Sequence, residues 1–187
     1  MTKTMTIIRS EHSSIAFLLG LLERQTELIE KTGQPDLQLV TEITDYFRSF
    51  PDLYHHPKED LVLRRLRKRA AGLDTQIDEL EADHHKLSNQ LHEFSRTVVA
   101  LLVDPSPMTR ANFLQAARSF IEREREHMAI EERFFFPAAE KWLTDKDWME
   151  IDEAVGQFVD PLSAPDAGHR FFALRGYLDR WQANNAA

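Results

Sequence analysis

The 187-residue sequence predicts an all-α fold: an up-down-up-down four-helix bundle with two additional short C-terminal helices. Three observations predict it. Apolar residues recur at helical spacing over long stretches, such as Ile15, Leu18, Leu19 and Leu22, or Leu80, Leu87, Leu91, Phe94 and Val98. No stretch alternates as a half-buried strand does. Turn signals at Gly33-Gln34-Pro35, Ala71-Gly72-Leu73-Asp74 and Asp104-Pro105-Ser106-Pro107 cut the chain into segments of bundle length.

These breaks predict helices over 4–32, 36–70, 74–103 and 107–142. Ser106 and Pro107 make an N-cap and first-turn pair, and Asp74 is the expected N-cap of the third helix. Pro51 and Pro57 each remove a backbone donor, so the second helix should be kinked. Residues 1–143 form the bundle on this reading, and 144–187 a helical extension packed on it. Thr144 to Asp147 has the form of a capping box ahead of Trp148, Ile151 and Val155. Asp160 to Gly168 reads as a loop, and Phe171 to Trp181 as the last helix.

Bulk properties exclude several function classes. A net charge of -8 and a pI near 5.5 disfavour nucleic acid and anionic membrane surfaces as partners. The local basic run Arg64, Arg65, Arg67, Lys68 and Arg69 reads as cations at the carbonyl end of a helix. No apolar stretch is long enough to span a bilayer and no signal segment is evident, so a cytoplasmic location is expected. With no cysteine, thiolate metal sites and a thiol nucleophile are excluded, leaving imidazole and oxygen as metal donors.

An internal repeat carries the chemistry. His12 and His84, His55 and His127, and Glu59 and Glu131 are all separated by 72 residues. Their neighbours follow: Glu11 matches Asp83, Ile15 matches Leu87, and Asp60 matches Glu132. In an antiparallel hairpin, residues equidistant from the turn lie at one level. The midpoint of 12 and 55 falls in the Gly33-Gln34 turn, that of 84 and 127 in the Asp104–Pro107 turn, and that of 59 and 84 beside Gly72. All four histidines therefore converge on one layer. Within each His-x-x-x-Glu motif the two side chains lie about 40° apart around the helix and roughly 6 Å along it. Four imidazoles and two carboxylates suit two metals, each taking two histidines and sharing two bridging glutamates. The predicted metal ligands are His12, His55, Glu59, His84, His127 and Glu131.

His12 alone on the first helix, His55-His56-Pro57-Lys58-Glu59, Asp83-His84 and His127-Met128-Ala129-Ile130-Glu131-Glu132 together resemble the hemerythrin-like, HHE cation-binding family. The resemblance spans the four bundle helices. It implies two iron ions in an oxo- or hydroxo-bridged centre that binds, senses or reduces dioxygen, nitric oxide or peroxide; the donors alone would equally suit manganese or zinc. Oxygen carriers of the family place a second histidine four residues after the first on the third helix. Here that position is Ser88, which favours a more open, more reactive centre over simple oxygen carriage. Iron-cluster repair members share the four-histidine, two-glutamate set but commonly carry a cysteine segment absent here.

Two other functions remain on this reading: an oxidoreductase turning over peroxide or nitric oxide, and a metal-storage or structural zinc module for interactions. His56 and His85 read as flanking residues because choosing them breaks the common offset. His92 reads as an outer donor or an exposed group, and His169 as a surface residue. Asp60 and Glu132 point about 140° away from their own histidines, toward solvent or the outer shell of the site. Glu122 to Glu126 reads as a solvated face, and Phe113, Phe120 and Phe134 to Phe136 as core. Trp148 and Trp181 read equally as interface anchors, with a homodimer as the possible partner, or as core residues.

Overall fold

A computed structural model describes residues 2–155 and 171–185. The elements run α1 (Lys3–Thr32), α2 (Leu37–Ser49), a π turn (Pro51–His55), α3 (His56–Arg69), α4 (Asp74–Val103), α5 (Pro107–Ile130), a second π turn (Glu131–Phe135), α6 (Phe136–Trp142), α7 (Asp145–Val155) and α8 (Phe172–Asn185). Among the described residues there is no strand. The first bundle helix is α1, the second is α2 with α3, the third is α4, and the fourth is α5 with α6.

Local chemistry sets the ends. Thr2 caps α1 by accepting from the Met5 N–H, and Asp36 caps α2 by accepting from that of Leu39. Gly33 closes α1 at φ 69°, a left-handed conformation that costs glycine little, and its N–H returns to the Ile29 carbonyl. Ser106 caps α5 as expected. The expected cap of α4 is corrected: Leu73 holds the N-cap position and Asp74 is the first helical residue, its carboxylate 3.7 Å from Arg67.

The predicted irregularity of the second helix is a π turn directly before His56, with Pro57 two residues into the next α-helical stretch. The fourth helix repeats the device, unforeseen in the sequence, with Pro137 two residues after the turn that begins at Glu131. A proline ring collides with the carbonyl four residues earlier in a regular α-helix, and a widened turn relieves the collision. Both π turns abut the metal-ligand motifs.

The core is divided. One apolar cluster holds Ile15, Leu22, Phe47, Phe50, Phe94, Phe113 and Phe120; the other holds Met5, Ile8, Val62, Leu66, Leu80, Phe135 and Phe136. Each fully buried Phe contributes roughly 2 to 3 kcal/mol. On the first three bundle helices the predicted ligands lie in sequence between members of the two clusters, and on the fourth His127 and Glu131 flank Met128 of the first cluster, so the fold encloses a polar layer between two apolar ones.

The C-terminal elements pack on the bundle. Thr144 and Asp147 form the expected capping box: Thr144 Oγ1 donates to Asp147 Oδ2 at 2.6 Å, and the Asp147 N–H returns to Thr144 Oγ1 at 3.3 Å. The basic run does more than offset a helix dipole. Arg69 forks onto both Asp147 oxygens at 2.9 and 3.0 Å, Arg65 pairs with Asp147 and Glu150, and Arg67 ties α3 to α4 through Asp78 and Glu81. Trp148 is buried in the second cluster, a core residue and not an exposed anchor. On the opposite side α8 lies against α2, where the Leu174 N–H donates to Glu42 Oε2 at 2.9 Å. The expected 160–168 loop, His169 and the Trp181 side chain lie outside the described residues and side chains.

Candidate metal centre

All six predicted ligand residues meet in the polar layer, and all are buried; Glu59 and Glu131 are fully so. Glu59 directs Oε1 to His12 Nε2 and His55 Nε2, each at 3.3 Å, and Oε2 to His84 Nε2 at 3.6 Å. Glu131 directs Oε1 to His127 Nε2 at 3.2 Å and His84 Nε2 at 3.6 Å, and Oε2 to His12 Nε2 at 3.3 Å. Each carboxylate thus offers one oxygen to the His12–His55 pair and the other to the His84–His127 side.

The outward nitrogens of His12, His55 and His84 are hydrogen-bonded to carboxylates, and that of His127 faces one. His12 Nδ1 faces Glu132 at 3.2 Å, His55 Nδ1 faces Glu11 at 2.9 Å, His84 Nδ1 faces Asp60 at 3.0 Å, and His127 Nδ1 lies 3.3 Å from Asp83. Glu11 matches Asp83 and Asp60 matches Glu132 at the same offset of 72, so the repeat extends to the outer shell. A carboxylate at Nδ1 fixes the imidazole's orientation and leaves Nε2 free to bind a cation. The reading of Asp60 and Glu132 as outer groups is resolved: each reaches the lone histidine of a neighbouring helix.

Behind these pairs stand two cations missed in the sequence. Lys58, buried, pairs with Glu11 and lies 5.2 Å from the centre of the Phe50 ring. Arg123, half-buried, pairs with Asp83, and Arg125 pairs with Glu23 at 2.8 Å. Glu122, Arg125 and Glu126 of the Glu122–Glu126 run are exposed, as expected of a solvated face, whereas Glu124 is buried and Arg123 half-buried. Lysine between two ligand residues ordinarily signals solvent; only Glu11 on the facing helix explains its burial.

The electrostatics call for positive charge. The inward oxygens of Glu59 and Glu131, with the inward nitrogens of His12, His84 and His127, are buried and make no hydrogen bond. Buried carboxylates left so cost several kcal/mol unless a cation compensates them. Burial opposes protonation of the imidazoles, yet the close approach and charge of the Glu131 and Glu59 carboxylates outweigh it. They push His12 up to about 10 and His127 to about 11, with Asp83 also helping at His127. His84, held chiefly by Asp60 and Glu131 against the same burial penalty, rises to about 9. Burial, reinforced by neighbouring His12, His56 and Lys58, holds His55 well below its ordinary value. Burial would raise Glu131, but His127, His12 and His84 keep it ionised far below the usual carboxylate range. Protons or metal cations can satisfy such a site, and metal binding must displace the protons.

The remaining histidines divide. His85 and His92 are exposed, and His92 Nδ1 turns to the Ser88 carbonyl of its own helix. His56 is buried, and the fold gathers it with Glu59, His84 and His127 in one group of donor atoms within 4.8 Å of one another; His12, His55 and Glu59 form a second such group. His56 is therefore not the peripheral neighbour its offset suggested.

Residues 4–139 match the Hemerythrin HHE cation binding domain. The chain belongs to the hemerythrin family. A search of curated proteins returns no match. The match covers α1 to α5 and ends within α6, so all six predicted ligands fall inside it and α7 and α8 lie beyond it. The buried His/Glu cluster of this hemerythrin domain can hold a metal cation. Among its described residues no helix is long and apolar enough to cross a membrane.

Proposed function

We propose that this hemerythrin domain is a non-haem di-iron protein that binds, senses or reduces dioxygen, nitric oxide or peroxide. His12 and His55, with one carboxylate oxygen each of Glu59 and Glu131, would hold one iron. His84 and His127, with the other oxygen of each carboxylate, would hold the second. The observation that carries the reading is the division of each buried carboxylate between two histidine sets.

Iron, when bound, supplies redox change and a coordination position for a small ligand. The protein's own groups do the rest. Glu132, Glu11, Asp60 and Asp83 would orient the rings through Nδ1, so that Nε2 is the nitrogen turned to a bound cation. Phe136 stacks on His12 with centres 5.2 Å apart, and with Phe135 and Phe50 it restricts water beside the centre. A surface cleft of about 270 Å³, lined by Arg9, His12, Ser13, Ala16, Met128, Ala129 and Glu132, supplies an approach that suits small ligands.

Anaerobic loading of the purified chain with ferrous iron is expected to give two irons per chain. Admission of air should then produce the near-ultraviolet bands of an oxygen-bridged diferric pair. A colourless protein that takes zinc to full occupancy in preference to iron overturns the reading. Catalytic consumption of peroxide or nitric oxide with an electron donor separates an oxidoreductase from a sensor.

A further inference from the structure

Two grooves flank α1, and they differ in charge. The one against α5 is lined by five glutamates, and both of its arginines are paired, Arg118 with Glu30 and Arg125 with Glu23. The one against α8, of about 750 Å³, has no acidic group among the described residues that line it. Arg24 of α1 and Arg180 of α8 line it instead, and neither pairs with a carboxylate among the described residues. In a chain of net charge -8, two guanidiniums left uncompensated on one groove make a local attraction for anions that the rest of the surface opposes.

This second groove is built by the C-terminal extension, since α8 lies beyond the residues that match the hemerythrin domain. Leu174 and Leu178 are buried in the first apolar cluster, which leaves Tyr177 and Arg180 on the flank beside α1. The Arg180 guanidinium sits 4.7 Å from the centre of the Tyr177 ring, so its fork is partly ordered before any ligand arrives. Phe17 adds a second half-buried ring from α1. At Gly20, between the two ends of the groove, a side chain would meet no neighbouring group within 4 Å.

We propose that the α1–α8 groove binds a phosphorylated compound with a flat ring, of the nucleotide class. Guanidiniums recognise phosphate through paired, charge-assisted hydrogen bonds, and half-buried Tyr and Phe rings offer faces on which a base or a flavin stacks. The volume is that of a small-molecule site. Ser13 and Ala16 line both this groove and the cleft beside His12, so an occupant lies along the wall of the approach to the metal centre. The groove does not depend on which metal that centre takes.

The full chain is titrated calorimetrically with flavin mononucleotide and with ADP, and with riboflavin and adenosine as the same rings without phosphate. At least one of the two phosphates should bind saturably below millimolar concentration, and its parent ring compound about tenfold more weakly or worse. Arg24→Gln and Arg180→Gln should each weaken that binding by about tenfold or more, because each removes a charge-assisted bond, whereas Arg118→Gln on the opposite flank should not. Gly20→Leu fills the open floor while replacing a poor helix former with a good one, so it should abolish binding with a melting temperature equal to or above that of wild type. Failure of both phosphates to bind, equal binding of the parent rings, or binding that survives both arginine substitutions or Gly20→Leu overturns the proposal. A chain that binds the phosphate but takes up no iron pair sinks the di-iron reading alone.

Discussion

The two halves of the polar layer carry the same motif but are embedded differently. On one side Lys58, Glu11 and His55 form a chain of contacts with every member buried. On the other, Arg123, Asp83 and His127 take the same roles, but the arginine is one-third exposed. A buried ion pair is sensitive to loss of either partner because the survivor is left charged in a low-dielectric interior; an exposed one is cushioned by water. Equal sequence spacing therefore does not imply equal energetic stakes.

The most damaging test strikes what the halves share. Glu59→Ala and Glu131→Ala should each lose most of the bound metal, since each removes an oxygen from both sides; metal analysis that finds wild-type content in both variants breaks the assignment. Acidity comes next. Raised imidazoles give the metal-free protein stability that is fully present below about pH 6.5 and is lost as pH rises through the folded values of about 9 to 11. Metal uptake should run the opposite way, improving with pH as protons leave, so melting curves and metal titrations across pH 6 to 10 are expected to diverge.

The asymmetry itself is tested by Lys58→Met against Arg123→Met. Denaturant unfolding should show a loss of about 3 kcal/mol for the first and no more than about 1 kcal/mol for the second. Equal losses would mean that the two outer shells are equivalent. A smaller effect belongs to the α3–α7 contact. Arg69 and Thr144 hold Asp147 far below the usual carboxylate range, so its contribution is present above about pH 4 and fades as pH falls further. Asp147→Asn should speed amide exchange in α7 and leave metal content intact. Least of all, His92→Ala, on an exposed ring bonded to its own helix, should change neither melting nor metal content.

The six proposed ligands were legible because a duplicated motif writes the same residues twice at one offset, and helical geometry converts equal spacing from a turn into equal height. Their outer carboxylates were half legible. Glu11 and Asp83 follow the repeat, but which imidazole each one meets depends on the helix opposite. Lys58 gave no signal, because its side chain is drawn inward by a carboxylate 47 positions earlier. The burial of His56 was not legible for a related reason: the offset that singled out its neighbours excludes it, and only packing turns its ring onto His84.

The amino-acid order by itself determined helix content, turn positions and the level at which histidines and glutamates meet, because these depend on local periodicity and chain length alone. Tertiary structure alone decided which nitrogen of each imidazole faces inward, which oxygens it meets, where the prolines widen a turn, and which cations are buried. Those outcomes depend on groups brought from distant helices, whose approach no local pattern encodes.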